Sequence, residues 1–381
     1  MKRNKFLLVI LIAIFCKVLL YSLLVINSPQ SSFQNDSFDY LETAKTLYTY
    51  GAFAKINSIG ILSYEFYRTP GYPIYLVLTQ YLLKLSINGV LLTQILLSLF
   101  AAFITYKAAN KIDKRIAFLS LFIILYDPPI AIFSLMILSE ALFLVFMSLF
   151  LFSFVQYLSN KRINYVFYSA LILAIATYIR PITYYFGLIV AIFILYVNMR
   201  FNIKKAIIHA LIFLIAVYGI IGIWQLRNYK RFQDKAFCNV VKDGYTYLGL
   251  YKSYSRNKAN LAKNMSPVKY YTVNSTRAFL SIMTRPGPFK YFKSKKVRAI
   301  GNVFSYPWMI FWVSGFIVGV FKIRRNIHFQ FLCLVIAYLI VTSIIGVSTL
   351  VSERFRVPMV PFLAIISAFG WINIMDRLKA K

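Results

Sequence analysis

The chain has 381 residues, of which 60% are hydrophobic, 18% aromatic and only 14% charged. Soluble domains are typically about 45–50% apolar and about 25% charged, so a soluble globular fold is excluded, and so much Ile, Leu and Phe excludes disorder. The formal net charge of +32 comes from 43 Lys+Arg against 11 Asp+Glu; in a polytopic membrane protein that surplus indicates the positive-inside bias and contact with anionic headgroups, not nucleic acid.

Basic residues Lys2, Arg3 and Lys5 precede the apolar run 6–26. The run contains Lys17 and lacks a small-x-small cleavage site, so it is expected to be a first spanning helix. Further apolar runs at 89–109, 115–132, 135–158, 163–179, 182–199, 205–225, 303–321, 328–349 and 356–374 bring the expected count to ten. Basic clusters then fall on the side of the N-terminus: Lys111/Lys114/Arg115, Lys161/Arg162, Arg200/Lys204/Lys205, Lys322/Arg324/Arg325 and Arg377/Lys379/Lys381. Residues 71–86 are apolar but short and contain Lys84. They are expected to lie at the outer interface, with eleven spans if they cross. The expected organisation is therefore all-α, with an N-terminal transmembrane module over 1–225. It includes a first external loop, 27–88, with amphipathic juxtamembrane helices. A basic external loop over 226–302, broken into short pieces by Pro267, Pro286 and Pro288, and C-terminal helices over 303–381 follow.

Cys16, Cys238 and Cys333 have no metal-ligand or disulfide-framework spacing. His209 and His328, at expected helix starts, are taken as interfacial residues. This topology leaves Asp113 and Asp376 cytoplasmic and puts nine acids outside or near outer helix ends: Asp36, Asp39, Glu42, Glu65, Asp127, Glu140, Asp234, Asp243 and Glu353. Carboxylates at membrane depth are costly, so avoidance of the core explains part of this bias.

Four local patterns go further. Asn35-Asp36-Ser37-Phe38-Asp39-Tyr40 opens a short amphipathic helix closed by Gly51, with Asp36 and Asp39 on one edge; the plainer reading is helix capping. Tyr67-Arg68-Thr69-Pro70-Gly71-Tyr72-Pro73 is a turn carrying a cation. Tyr126-Asp127-Pro128-Pro129 precedes Ser139-Glu140, which puts a carboxylate inside an apolar run. Arg180-Pro181, Arg227-Asn228-Tyr229 and Glu353-Arg354-Phe355-Arg356-Val357-Pro358 deliver arginines to outer helix ends. Arginine's planar fork suits phosphate, although headgroup contact alone would also place it there.

The ordered set of Asp36 with Tyr40 and Ala44, Gly51, Arg68-x-Pro70-Gly71-Tyr72-Pro73, Ser139-Glu140, Arg180-Pro181, Arg227-Asn228-Tyr229 and Arg354-x-Arg356-x-Pro358-x-x-Pro361 resembles the C-type glycosyltransferase superfamily. Within it, the resemblance is to glycosyltransferase-39-like enzymes such as protein O-mannosyltransferases and the aminoarabinose transferase of lipid A. It implies the C-type fold and an inverting transfer from a polyprenyl-phosphate-linked sugar to an extracytoplasmic lipid, glycan or protein. It also implies a role in envelope biogenesis, with a bacterial inner membrane as the simplest home. The family's general base matches Asp36, with Asp39 one turn on as the fallback. Its second acidic position matches Asp127 or, from the Ser-Glu context, Glu140. Arg68, Arg180, Arg227, Arg354 and Arg356 are the expected phosphate ligands, and Tyr40 and Tyr72 the expected lining. No cofactor is required, and a divalent cation beside Asp36 and Glu140 stays open. Competing classes are a lipid or glycan transporter or flippase, which would carry charge through mid-membrane, and a non-catalytic envelope assembly protein.

Overall fold

The computed structural model describes residues 3–26, 28–199, 201–244, 266–287, 289, 292, 294–323, 326–347 and 352–380. Lys2, Arg200, Pro288, Arg324, Arg325 and Lys381 lie outside the described residues, as do the side chains of Arg3, Lys5 and Asp243. Among the described residues, eight helices are long and apolar enough to cross a membrane: Leu7–Ile26, Ile87–Ile112, Glu140–Asn160, Pro181–Met199, Ile203–Phe232, Lys295–Lys322, Ile327–Ile345 and Glu353–Lys379.

Two expected spans differ. Ile163–Ile179 has 17 residues, the lower limit of a spanning length. The run 115–132 splits into Lys114–Leu125, 12 residues or about 18 Å long, and Pro128–Phe133. Asp127 caps the second piece, and Pro128 and Pro129 lack the N–H groups that would continue the first. Residues 71–86 hold the short helical turns Gly71–Leu76 and Val77–Leu82, too short to cross. The second external region is more regular than its prolines suggest. An 18-residue amphipathic helix, Pro267–Thr284, occupies it, with Pro267 in the first turn where a missing N–H is harmless, and the next long helix starts at Lys295 instead of 303.

Helix Glu140–Asn160 lies at the centre of the bundle. Phe143, Met147, Phe150 and Phe154 recur along one face and are fully buried, and Phe154 stacks on Phe331 with ring centroids 4.1 Å apart. Lys295–Lys322 crosses the last helix through Gly315 and Gly319, which meet Gly370 and Ile366 with no room for a Cβ. Small residues four apart are the usual means of close helix approach in lipid. Ser367 Oγ and Trp371 Nε1 lock the crossing by donating to the Trp312 and Phe311 carbonyls, both at 2.8 Å.

Candidate active site

The segment that follows the first long helix forms helix Asn35–Tyr50, whose capping is done by Gln34 and Ser37. Asp36 and Asp39 are therefore not caps, and both carboxylates are free to pair. Ser37 Oγ also donates to the Ile137 carbonyl at 2.8 Å, and Ile137 N–H donates to Ser32 O at 2.9 Å. These bonds tie the helix to the non-helical stretch just before Glu140. Gln94 holds that stretch from the other side, donating to the Ser134 and Met136 carbonyls at 3.2 and 2.7 Å while accepting from Tyr72 Oη at 2.7 Å.

The turn carrying Arg68 docks against the end of Ile163–Ile179. Thr69 Oγ1 donates to Ile179 O at 3.1 Å, and a Cβ on Gly71 would come 2.8 Å from the Tyr178 and Ile179 backbone. Only glycine permits this approach, which brings Arg68 and Arg180 to one end of the bundle. The hairpin Ala54–Ile56 with Leu62–Tyr64 supplies Lys55.

These elements join eight charged side chains into one ribbon of alternating sign. Glu65 Oε2 lies 2.9 Å from Lys55 Nζ, which lies 2.7 Å from Asp39 Oδ1. Arg68 Nη2 reaches Asp39 Oδ2 at 2.8 Å and Asp36 Oδ1 at 2.7 Å. Arg354 Nη1 reaches Asp36 Oδ2 at 2.8 Å, and Arg354 Nε pairs with Glu140 Oε1. Arg180 Nη1 completes the series, 2.7 Å from the same Glu140 oxygen. Four carboxylates thus balance four cations.

Burial raises the Asp36 pKa, but the Arg354 and Arg68 guanidinium groups outweigh it and hold the carboxyl at about 2. Asp39 is lowered too, because bonds from Lys55 and Arg68 overcome its partial burial. Lys55 is raised by Asp39 and Glu65 against its own desolvation. Asp36 and Asp39 are firmly ionised in this arrangement. Arg68 also lies over the rings of Tyr40 and Tyr67, at 5.2 and 5.1 Å. Tyr40 packs edge-on against Tyr72, centroids 4.9 Å apart.

The structure brings together Asp36, Asp39, Glu140, Arg68, Arg180, Arg354, Tyr40 and Tyr72. Three expected site residues stand apart. Arg227 donates to the Glu65 and Phe53 carbonyls, each at 3.0 Å, and lies 4.7 Å from the Trp224 ring. It fastens the loop between the first two long helices to the bundle through Nη1 and Nη2, at a distance from the ribbon. Arg356 points away from the ribbon, donating to Ile282 O and Arg285 O. Asp127 is buried and accepts from Ile130 N–H at 3.1 Å. His209, near the start of its helix, is buried, with Nδ1 3.1 Å from Tyr157 Oη.

Lys55, Glu65 and Gln94 contribute without having been singled out as site residues. Lys55 sits in a three-residue strand with no motif around it, whereas Glu65, three residues before Arg68, accepts the Arg68 N–H at 3.1 Å as a local turn contact. Among the described residues, no group of three or more His, Cys, Asp or Glu could hold a metal ion.

Residues 68–224 match the family model of dolichyl-phosphate-mannose-protein mannosyltransferases. The matched stretch contains Arg68, Glu140 and Arg180. No curated protein matches the chain. Among solved structures, the Archaeoglobus fulgidus oligosaccharyltransferase in its apo form aligns over 99% of this chain and 51% of its own, with a TM-score of 0.59 at 12% identity. The same enzyme in complex with an inhibitory peptide and a dolichol-phosphate gives the same figures, and in complex with Zn and sulfate it gives a TM-score of 0.58 at 12% identity over 96% of this chain and 49% of its own. The chain therefore spans about half the length of these structures, and at that identity the likeness is one of fold. The mainly helical C-type fold expected from the ordered motifs is the fold observed, and within it residues 68–224 resemble the dolichyl-phosphate-mannose-protein mannosyltransferase family.

Proposed function

We propose that the protein is an inverting glycosyltransferase. It moves a sugar from a polyprenyl-phosphate-linked donor to a hydroxyl-bearing acceptor on the outer side of the membrane. The observation that carries this reading is the meeting of Asp36 and Glu140 on a single guanidinium, Arg354, among further cations. The oligosaccharyltransferase that shares the fold is known in complex with a dolichol-phosphate and a peptide, which supports a lipid-phosphate donor and keeps protein among the acceptors beside lipids and glycans.

The acceptor oxygen bonds to the anomeric carbon, and the bond from that carbon to the phosphate oxygen breaks with its electron pair on the phosphate. The acceptor proton goes to Asp36. A carboxylate held at about 2 is a weak base, so it takes the proton late, once the attacking oxygen has become strongly acidic by bonding to carbon. The phosphate leaves as a stable anion and needs no general acid, only cations to hold it. Glu140 positions Arg354 against Asp36. Direct displacement on one face inverts the anomeric centre.

The test is transfer from a polyprenyl-phosphate sugar by purified protein. Asp36→Asn is expected to lower turnover by about 10²–10⁴-fold, the usual worth of a general base, while donor binding persists. Full turnover in Asp36→Asn would overturn the assignment.

A further inference from the structure

Two buried cations have donors that nothing among the described residues uses. Lys17 lies on the inward stripe of the first helix with Ala13 and Leu24, is 2% exposed, and its Nζ has no hydrogen-bond partner. Arg356, 1% exposed, engages only Nη1, on the carbonyls of Ile282 and Arg285 at 2.8 and 2.9 Å. Its Nε and Nη2 are without partners, and its guanidinium lies 5.3 Å from the Trp312 ring centre. The short helix that Asp127 caps, Pro128–Phe133, packs against both the first helix and the turn Glu353–Met359, which brings both cations within electrostatic reach of its buried carboxylate. Helix geometry explains the meeting. Lys17 is 14 residues past Arg3 and Asp127 is 13 past Lys114, so each rises roughly 20 Å from the basic end of its helix.

The pairing differs from that of the ribbon. There, each of four carboxylates has a cation hydrogen-bonded to it; here the carboxylates of Asp127, already accepting a backbone N–H, and of Glu353 lie near Arg356, yet Lys17 Nζ and Arg356 Nε and Nη2 have no partner among the described residues. A buried cation with unused donors is costly at membrane depth, and an arginine whose Nε and Nη2 are both free is built for a phosphate oxygen pair.

We propose that the donor's phosphate is held by the unused donors of Lys17 and Arg356 beside Asp127, and not by the arginines of the ribbon. This deepens the glycosyltransferase reading and rests on it. The helices carrying Lys17 and Trp312 are the two least embedded spans, each 22% buried against 78% for Glu140–Asn160. The node therefore lies behind the thinnest part of the wall, where an isoprenoid can stay in lipid while its phosphate reaches inward. Arg354 and Arg356 are two residues apart in the tight turn Glu353–Met359, one reaching to Asp36 and Glu140, the other to the Trp312 side. A sugar placed across that turn has the base on one side and the phosphate on the other, as in-line displacement requires. When the anomeric bond breaks, the charge left on the phosphate falls on Lys17 and Arg356.

The experiment measures binding of a sugar-free polyprenyl phosphate to the full chain in lipid nanodiscs. Lys17→Gln and Arg356→Gln are each expected to raise Kd at least tenfold. Lys17→Arg, which keeps the charge, should stay within threefold, and the remote Arg115→Gln within twofold. A wild type that binds polyprenyl phosphate with unchanged affinity in both Gln variants overturns the proposal and leaves the glycosyltransferase reading standing. A wild type that does not bind it at all overturns both. Equal displacement by phosphatidylglycerol or inorganic phosphate overturns the assigned ligand. A polyprenyl phosphate with a photoreactive group next to the phosphate needs no variant. Labelling of the peptides around Lys17 or 353–359 supports the site, and labelling of 35–50 instead overturns it.

Discussion

Arg354 touches Asp36 and Glu140 at once, across sequence separations of 318 and 214 residues. The Glu140 side chain is fully buried, so the guanidinium is what allows that carboxylate to stay charged. Arg354→Gln is expected to destabilise the protein by about 3–5 kcal/mol, the usual result of stranding a buried charge. Thermal unfolding in detergent checks this, and Glu140→Gln in the same background should recover part of the loss. Asp36 adds a pH dependence. Its folded pKa of about 2 lies below the ordinary 3.8, so its stabilisation, about 2 kcal/mol, is complete above pH 4 and is lost as pH falls through 2. An unfolding profile that is flat from pH 5 to pH 2 would contradict that assignment. The ionisable residue types were legible in the sequence, and so was the likelihood that a carboxylate inside an apolar run has a task. Which cation answers which acid was not, because every long-range pair in the ribbon joins different elements.

At the scale of elements, the site depends on how three external pieces seat on the bundle. Gly71 shows the dependence most sharply, since even a methyl group would meet the Tyr178 and Ile179 backbone. Gly71→Ala is expected to cost about 1–3 kcal/mol by overpacking. It should also reduce transfer, because the displaced turn carries Arg68 away from Asp36 and Asp39. Unfolding and turnover measured together separate this from a purely local strain, which would lower stability and leave turnover intact. The sequence announced the turn through its prolines and glycine but not its docking partner. It also announced Asp127-Pro128-Pro129 as a break. Yet apolar composition alone favoured a continuous span over 115–132, since composition cannot register that two missing N–H groups and a cap end a helix at 12 residues.

Across the whole molecule, the ribbon occupies one end of the helical bundle, and the small network of Arg115 with Asp113 and Asp376 occupies the other. The basic residues Lys111, Lys114, Arg377 and Lys379 share that second end, the pattern expected of a cytoplasmic face under the positive-inside rule. A topology experiment follows. Ser58→Cys, at the exposed hairpin tip, should react with a membrane-impermeant thiol reagent in intact cells, and Lys379→Cys only after permeabilisation. The reverse pattern would put the ribbon on the wrong side for an extracytoplasmic acceptor.

Lipid as the surrounding solvent, the helical class and the confinement of acids to loops and helix ends were legible in composition and local hydropathy: lipid accepts apolar helices and rejects bare charge. Its ordered motifs also pointed to the fold. Only the packing decided that Asp36, Arg354 and Glu140 form one contact, that Arg227 fastens a loop to the bundle, and that the Lys17 amine is buried with no partner among the described residues. Ion pairing is a matter of a few ångströms between atoms hundreds of residues apart, and only the packing of the helices sets those distances.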